Sequence, residues 1–344
     1  MQIASIGIDL GKTTFHLVAL GERNKLLVRK KFSRTQLLAY TAKLASTLIG
    51  LEACAGSHFM GAKLREQGHE VRLIPAQFVK PYRKSNKNDF KDAEAIAEAV
   101  SKQNMRFAQI KTQEQLDIQA MHRVRDRLVG RRTALINEIR GFLLDRGITF
   151  AADPKQLRKN LPGVIEDAEQ NLTPRLRWLL DRMWSEWKQV ELDIKGMTEE
   201  LERISEENEL CRRLLRIPGF GPLVSTATVA AIGNGAAFRC GRDFAAWVGI
   251  VPRQHSTGGK QKLLGISKRG NRYLRRMLIH GARAVLFRVK YDTGGFGEWF
   301  RRLAQRAPRN KVVVAIANKL ARMAWAVLSS GKEYQHRPLQ ATAA

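Results

Sequence analysis

The sequence predicts a mixed α/β amino-terminal domain followed by two largely helical segments, and three observations carry that prediction. Residues 3–32 hold three short apolar or alternating runs, and a helix–strand alternation follows to residue 74; consecutive strands and then αβ units are the pattern of a mixed sheet. Residues 176–215 place apolar side chains at alternating steps of four and three, the spacing of a helical seam. Residues 253–311 carry sixteen Lys or Arg against two acids, a one-signed stretch unlike the mixed charge of an ordinary solvated surface. The expected segments are 1–108, an α/β domain, 109–215, a coiled-coil linker, and 216–344, a mostly helical basic domain.

The totals narrow the partners. The chain has 344 residues, enough for two or three domains, and a hydrophobic fraction of 44% typical of folded proteins. Its net charge of +28 favours a polyanion, because each neutralised phosphate releases condensed counterions. A membrane is the competing partner, but no segment approaches the ~18 consecutive apolar residues of a span. Cys54, Cys211 and Cys240 are too few and scattered for a disulfide framework or zinc site. The amino terminus, MQIASIGIDLGKTTF, has no basic region followed by an apolar run. A cytoplasmic protein acting on nucleic acid is the expectation.

Ile3 to Leu10 is a mostly apolar run reaching Asp9, and Gly11 to Thr14 supplies a turn. Phe15 to Leu20 and Leu26 to Phe32 read as the next strands, joined antiparallel by short turns. Arg34 to Ser46 reads as a helix, Thr47 to Leu51 as a strand closed by Glu52, Ser57 to Gln67 as a helix and Val71 to Ile74 as a strand. Pro75 and Pro81 then break regularity, and the Ala-rich Asp89 to Val100 is a helix with Asp89 and Asp92 in its first turn. That order is the pattern of an RNase H-like fold. Asp9 and Glu52 would then occupy neighbouring strand ends, where ligands of α/β sheets collect. Asp89 and Asp92, three apart, share one helical face.

Each acid also has a purely structural explanation. Asp89 and Glu52 suit helix caps, Asp92 complements a helix dipole, and Asp9 fixes a turn. Four carboxylates together repel unless divalent cations neutralise them, and hard oxygen ligands suit Mg2+ or Mn2+. Two such ions about 3.5–4 Å apart clamp the attacking and leaving oxygens of phosphoryl transfer. The run IGIDLGKTT also resembles the first phosphate loop of actin-like and sugar-kinase ATPases. That reading needs a second phosphate loop after a buried strand, and the late D-x-G, Asp292-Thr293-Gly294, follows the basic Arg288-Val289-Lys290.

Gln113 to Gly147 reads as a long helix with Met121, Leu128, Leu135 and Phe142 spaced by seven, widened by Val124 and Ile139. Gly147, Pro154, Pro162 and Gly163 mark a break. The second helix carries the seam Leu176, Leu180, Met183, Trp187, Val190, Ile194, Met197, Leu201, Ile204, Asn208, Cys211 and Leu215. Asn208 falls at an a-like position suited to fixing register, and Glu-rich flanks fit a solvated exterior. Two arrangements satisfy such a seam: an antiparallel hairpin within one chain, or a dimer or larger assembly.

IPGFGPL, residues 217–223, has the pattern of a helix-hairpin-helix turn, whose Gly219 and Gly221 would let backbone amides approach a phosphate at a helix N-terminus. An ordinary Pro-Gly helix linker fits the same residues. Asp243 to Val248 reads as a short helix packing Phe244 and Trp247. Residues 252–276, PRQHSTGGKQKLLGISKRGNRYLRR, then place Ser256 and Thr257 in a loop softened by Gly258 and Gly259. Lys260, Lys262, Lys268, Arg269, Asn271, Arg272, Arg275 and Arg276 follow as the nucleic-acid-binding set. A hydroxyl among phosphate-seeking cations suits a nucleophile on a phosphodiester or a simple phosphate-binding loop. From Asn271 a helix buries Leu274, Leu278, Ala282 and Val285. Gly294 to Gly297 reads as a loop, Lys311 to Leu328 as an apolar core helix and the tail after Ser329 as a mobile terminus.

Asp9 in GIDLGKTTF, Glu52 in LEACAGS, Asp89 and Asp92 in NKNDFKDAEAIAEA, IPGFGPL, and HSTGGKQKLLGISKRGNRYLRR together resemble the DEDD transposases of bacterial insertion-sequence family 110. The HSTGG form resembles its subgroup 1111, and the resemblance runs from the first strand to about residue 290 in the family's order. It implies a Holliday-resolvase-like domain with Asp9, Glu52, Asp89 and Asp92 as catalytic metal ligands, a coiled-coil linker, and a transposase domain with a catalytic serine, matched by Ser256. It further implies an RNA-guided recombinase of the bacterial cytoplasm using Mg2+ or Mn2+. Its partners would be donor and target DNA, a noncoding guide RNA and further copies of itself, as dimer or tetramer, with no membrane. The serine would attack the backbone and hold a covalent phosphoserine-type intermediate.

Many relatives have Ser directly before the first Gly, where this chain has Thr257, so Thr257 is the alternative nucleophile. No His–Asp relay surrounds Ser256, which leaves activation to cations held by the acids. Two other expectations compete: an RNase H-like nuclease or junction resolvase in which water attacks, and a nucleic-acid scaffold whose acids are structural.

Overall fold

Alternation along β1 (Ser5–Leu10) sets the layout of the amino-terminal sheet: Ile6 and Ile8 are buried on one face, and Gly7 and Asp9 belong to the other. The computed structural model describes residues 2–83, 88–289 and 295–335, in two compact units, 1–113 and 114–344. In the first unit β1 pairs antiparallel with β2 (Phe15–Leu20), and β2 with β3 (Leu26–Phe32). On its other side β1 pairs parallel with β4 (Leu48–Glu52), and β4 with β5 (Glu70–Ile74), giving the order β3-β2-β1-β4-β5.

Two helices, α1 (Arg34–Thr41) and α2 (Ser57–Glu66), cover one face, where Leu37, Met60 and Leu64 pack with Ile6, Ile8, Leu17, Ile49 and Leu51. Each such side chain contributes roughly 1.5–3 kcal/mol on burial. A capping box between Ser33 and Gln36 starts α1, which ends short of the expected Ser46. A short helix, α3 (Ala76–Val79), and a 3-10 turn (Lys80–Tyr82) follow. The opposite face belongs to α4 (Asp89–Val100), whose Ala93 and Ala97 pack with Val18 and Leu20.

Glycines allow that helix to close. A Cβ on Gly7 would lie 2.0 Å from the Ala93 carbonyl oxygen and 2.3 Å from the Ala97 nitrogen. Gly50, the register partner of Gly7, sits the same way beneath Ile96 and Val100. Ser5 Oγ adds a hydrogen bond to the Ala97 carbonyl at 2.8 Å.

The second unit begins with three helices, α5 (Gln113–Leu144), α6 (Pro154–Glu166) and α7 (Pro174–Glu207). Leu128, Leu135 and Ile139 of α5 bury against Leu180, Trp187 and Val190 of α7, with Leu157 and Leu161 of α6 alongside. Arg125 meets Thr198 at 2.8 Å, whereas Arg131 and Arg132, further along α5, meet Glu186 (2.7 Å) and Glu191 (3.5 Å), earlier on α7, so the two run antiparallel. Much of the seam is therefore covered by the chain's own helices.

Two local expectations are corrected here. The Pro-marked break contains α6: Asp153 caps it and Pro154 takes the first turn, where its missing N–H is no loss. Asn208 does not sit within a continuous seam. It ends α7 with extended backbone (φ −80, ψ 120), and its side chain accepts from the Cys211 amide at 3.1 Å to start α8 (Glu209–Leu215). A short polar side chain that competes for backbone groups favours a cap over a helix interior.

The chain continues through α9 (Pro222–Ile232) and α10 (Gly241–Val248) to an antiparallel hairpin, β6 (Pro252–Thr257) and β7 (Lys260–Ile266). Three helices finish the unit: α11 (Arg272–Val289), α12 (Gly295–Arg306) and α13 (Arg309–Ser330). Their core joins Leu214, Phe244, Leu274, Leu278, Ile316 and Leu320. Helix α13 is long and apolar enough to cross a membrane, the one such helix among the described residues, but Ile316, Leu320 and Ala324 are fully buried in this core. The expected loop at 294–297 gives way to α12, which buries Phe296 and Phe300. Asp292-Thr293-Gly294 and the tail beyond residue 335 lie outside the described residues.

Candidate functional site

The period of two that puts Gly7 and Gly50 under α4 also sends Asp9 and Glu52 to that face, at adjacent strand ends. His16 stands directly across from Asp9 in the β1–β2 register. From above, α4 supplies Asp89 and Asp92 in its first turn. Asn88 caps this helix, accepting from the Phe90 amide at 3.0 Å, so Asp89 is not needed as the cap.

One carboxylate oxygen from each of Asp9, Asp89 and Asp92 lies within 4.8 Å of the others. Glu52 stands outside that trio but within its field. Burial, and then the charges of Asp92, Asp89 and Glu52, push Asp9 above the usual carboxylate range, with His16 opposing. Two basic side chains face the cluster. Arg83 brings Nε to 2.8 Å from Asp92 Oδ1 and a terminal nitrogen to 3.5 Å from Glu52 Oε2; His16 Nδ1 lies 3.6 Å from Asp89 Oδ2.

The donor set fits a divalent cation. Asp92 is 4% exposed, and Arg83 meets its Oδ1 as an ion pair at 2.8 Å and not as an aligned hydrogen bond. A buried carboxylate oxygen facing charge without a directional bond is what a hard cation would complete. His16 and Arg83 were not singled out from sequence. The short turn after Leu10 already sets His16 opposite Asp9, whereas nothing in the run before residue 84 marks Arg83.

In the second unit, the expected loop around Ser256 is the end of a strand. Gly258 and Gly259 both take positive φ (55° and 75°), the two-residue turn that matches hairpin twist. Ser256 pairs with Gln261, Thr257 with Lys260 and His255 with Lys262. Alternation therefore groups Ser256 with Gln254 and Gln261, and sets Thr257, His255, Lys260 and Lys262 on the opposite face. Gln254 Nε2 donates to Ser256 Oγ at 2.8 Å. Every residue of β6 is exposed.

The basic set divides. Lys260, Lys262, Lys268, Arg269 and Arg272 are exposed. Arg275 instead donates to the carbonyls of Val248 at 2.8 Å and Arg269 at 3.0 Å, stitching α11 to the root of the hairpin. Arg276 pairs with Asp126 of α5 and covers the Tyr273 ring at 5.1 Å. Asn271 caps α11, accepting from the Leu274 amide at 3.0 Å. Each of these three side chains already has a protein partner, unlike the open cations of the set.

The glycines of IPGFGPL also part. Gly219 has positive φ (87°), and a Cβ there would lie 2.8 Å from the Gly281 carbonyl oxygen, so it serves the packing of the turn on α11. Gly221 starts α9 with open space around it.

One buried group escaped the sequence. His122 of α5 lies 2.8 Å from Tyr273 Oη and 3.0 Å from Thr226 Oγ1. Thr226 donates its single proton to the Pro222 carbonyl at 2.7 Å. It must therefore accept from His122 Nε2–H, leaving Nδ1 to accept from Tyr273. Burial and Arg125 lower the His122 pKa to about 4, which holds the ring neutral.

The family model of the IS110 DEDD transposases, described as "Transposase", matches residues 6–146, and one described as "Transposase IS116/IS110/IS902 family" matches 211–296. The chain is 42% identical to the transposase for insertion sequence element IS1111A of Coxiella burnetii, over 97% of this chain and 92% of the relative. It is likewise 42% identical to the transposase for insertion sequence element IS1328 of Yersinia enterocolitica, over 96% and 98%. A pilin gene-inverting protein of Moraxella bovis is 24% identical over 78% of this chain and 76% of its own length. The chain belongs to the IS110 family of insertion-sequence transposases.

Proposed function

We propose that this transposase cuts and rejoins DNA by a serine nucleophile, Ser256, working with a divalent cation held by Asp9, Glu52, Asp89 and Asp92. The observation that carries the reading is the convergence of three carboxylates within 4.8 Å at the strand ends of the sheet, with the buried Asp92 facing Arg83 at 2.8 Å. Mg2+ or Mn2+ bound there would neutralise the acids and polarise a phosphate oxygen. Asp92, fixed by burial, and Asp9, fixed by β1, orient the site; Arg83 offsets part of its negative charge.

Ser256 Oγ forms a bond to phosphorus as the strand's own P–O bond breaks, and a deoxyribose hydroxyl leaves. The serine proton passes to water, since no imidazole or carboxylate shares its face of the hairpin. Gln254 donates to Oγ and favours the charge that develops there, without competing for the proton. The covalent link keeps the phosphodiester's energy for rejoining. Thr257 is the second candidate nucleophile, favoured only by its nearness to Lys260 and Lys262 across the hairpin.

Guidance by a noncoding RNA that pairs with donor and target DNA is supported by the family resemblance and by the +28 charge. Lys260, Lys262, Lys268, Arg269 and Arg272, with the open turn at Gly221, are the proposed phosphate contacts. The organisation is three-part: the acidic domain to residue 108, the α5–α7 hairpin as a coiled-coil-like spacer, and the transposase domain from 216, where α8 and α9 form a helix-hairpin-helix-like element. Trp178 and Leu192, more than 60% exposed on α7, are the surface proposed for assembly into a dimer or tetramer in the cytoplasm.

Strand cleavage by Ser256→Ala and Asp9→Asn tests the proposal. Both variants are expected to lose cleavage. Cleavage at the normal rate in Ser256→Ala would favour attack by water, and undiminished recombination in Asp9→Asn would remove the metal role.

A further inference from the structure

We infer that a groove between α13, α12 and the root of the β6–β7 hairpin is a seat for an unpaired polynucleotide strand. The groove encloses about 1450 Å3, beyond the ~300–1,000 Å3 of a small-molecule site. Its floor is apolar, with Val314 and Met323 of α13, Trp299 of α12, and Leu264 and Ile266 of β7. Basic side chains join that floor: Arg242, Lys311, Lys319 and Arg322 line the groove, and among the described residues no Asp or Glu does. Trp299 stacks on Phe296 with centroids 5.8 Å apart and 15° between planes, and Lys319 Nζ lies 4.2 Å from the Trp299 centroid.

Aromatic faces beside fixed cations are the elements that hold single strands, bases against the rings and phosphates against the charges. Duplex DNA presents phosphates outward and keeps its bases stacked inside, so it would leave this floor bare. A second copy would bring a net charge of +28 to a basic groove. Pro252, Leu263 and Leu264 line the groove and belong to the hairpin that carries Ser256. At about 3.3 Å per residue, Ser256 is only about 13 Å along β6 from Pro252. A strand leaving the groove along the hairpin therefore runs towards the serine. That last step rests on the proposed role of Ser256; strand binding in the groove does not.

The test is fluorescence anisotropy of the full chain with labelled single-stranded DNA, single-stranded RNA and a duplex of equal length, across a salt series. Trp299→Ala should weaken single-strand binding roughly tenfold. Lys311→Ala with Arg322→Ala, both at exposed positions, should lower the single-strand salt slope by about 0.7 per cation removed, with duplex binding unchanged. The strand type that shows the loss, DNA or RNA, identifies the source. Ser256→Ala should bind as the wild type does, which separates this inference from the nucleophile. Unchanged affinity and slope for both strand types, or an equal loss for duplex, would overturn it. So would a loss of self-association by light scattering in place of strand binding, which would assign the groove to a protein partner. The double variant decides the matter even where Trp299→Ala disturbs folding.

Discussion

Replacing Gly7 by Ala tests how the fold makes the acidic cluster. The added methyl would sit 2.0 Å from the Ala93 carbonyl oxygen and 2.3 Å from the Ala97 nitrogen, both backbone atoms of α4. No side chain can swing aside to relieve that contact, so α4 must retreat on the order of 1 Å to restore ordinary packing. Overpacking of this kind costs about 1–3 kcal/mol. The retreat also carries Asp89 and Asp92 away from Asp9, loosening the carboxylates that lie within 4.8 Å. Urea unfolding with and without Mn2+, together with Mn2+ calorimetry, reads both effects. The variant should unfold at lower urea and bind Mn2+ at least tenfold more weakly. Gly130→Ala, in an open position on α5, should gain about 0.5–1 kcal/mol from helix propensity and leave Mn2+ binding alone. A Gly7→Ala protein that binds Mn2+ as the wild type does would refute the link between close packing and the site.

Two further perturbations follow from buried contacts. His122 is held neutral with its pKa lowered to about 4 from 6.5, so the unfolded chain takes up the proton first as pH falls. Stability should decline between about pH 6.5 and 4 by roughly 3 kcal/mol, and stay level in this respect outside that window. A His122→Gln protein should lack that share of the slope in urea melts at successive pH values; an unchanged slope would contradict the buried neutral ring. Arg275→Ala should lower thermal stability, since it frees the carbonyls of Val248 and Arg269. It should leave the salt slope of DNA binding unchanged, while Arg272→Ala lowers that slope by about 0.9.

The reach of the sequence varied with the physics of each element. Strands β2 and β3 and helix α4 fall where their patterns predict, because one face of each meets a core or alternates plainly. The acids were legible for a related reason: polar residues that end apolar runs must sit at element ends. The hairpin at Ser256 was missed because both its faces are exposed, so no hydrophobic period marks it and only Gly258-Gly259 signals the turn. Helix α6 was hidden by Pro154 and Pro162, which read as breakers, although Pro154 takes its first turn and the helix runs through Pro162. Arg275 and Arg276 read as phosphate ligands because composition shows charge but not the carbonyls and carboxylate that already engage it. Arg83 became visible only once chain folding brought it to Asp92.

The fate of the Ser256 hydroxyl decides the mechanism. Full-length protein incubated with Mg2+, guide RNA and end-labelled donor and target DNA, then denatured and run on a gel, should show DNA carried with the protein. Peptide mapping of that species should place the nucleotide on Ser256, and Ser256→Ala and Asp9→Asn proteins should not form it. Cleaved DNA migrating free of protein, or an adduct mapped to Thr257 or elsewhere, would contradict attack by Ser256.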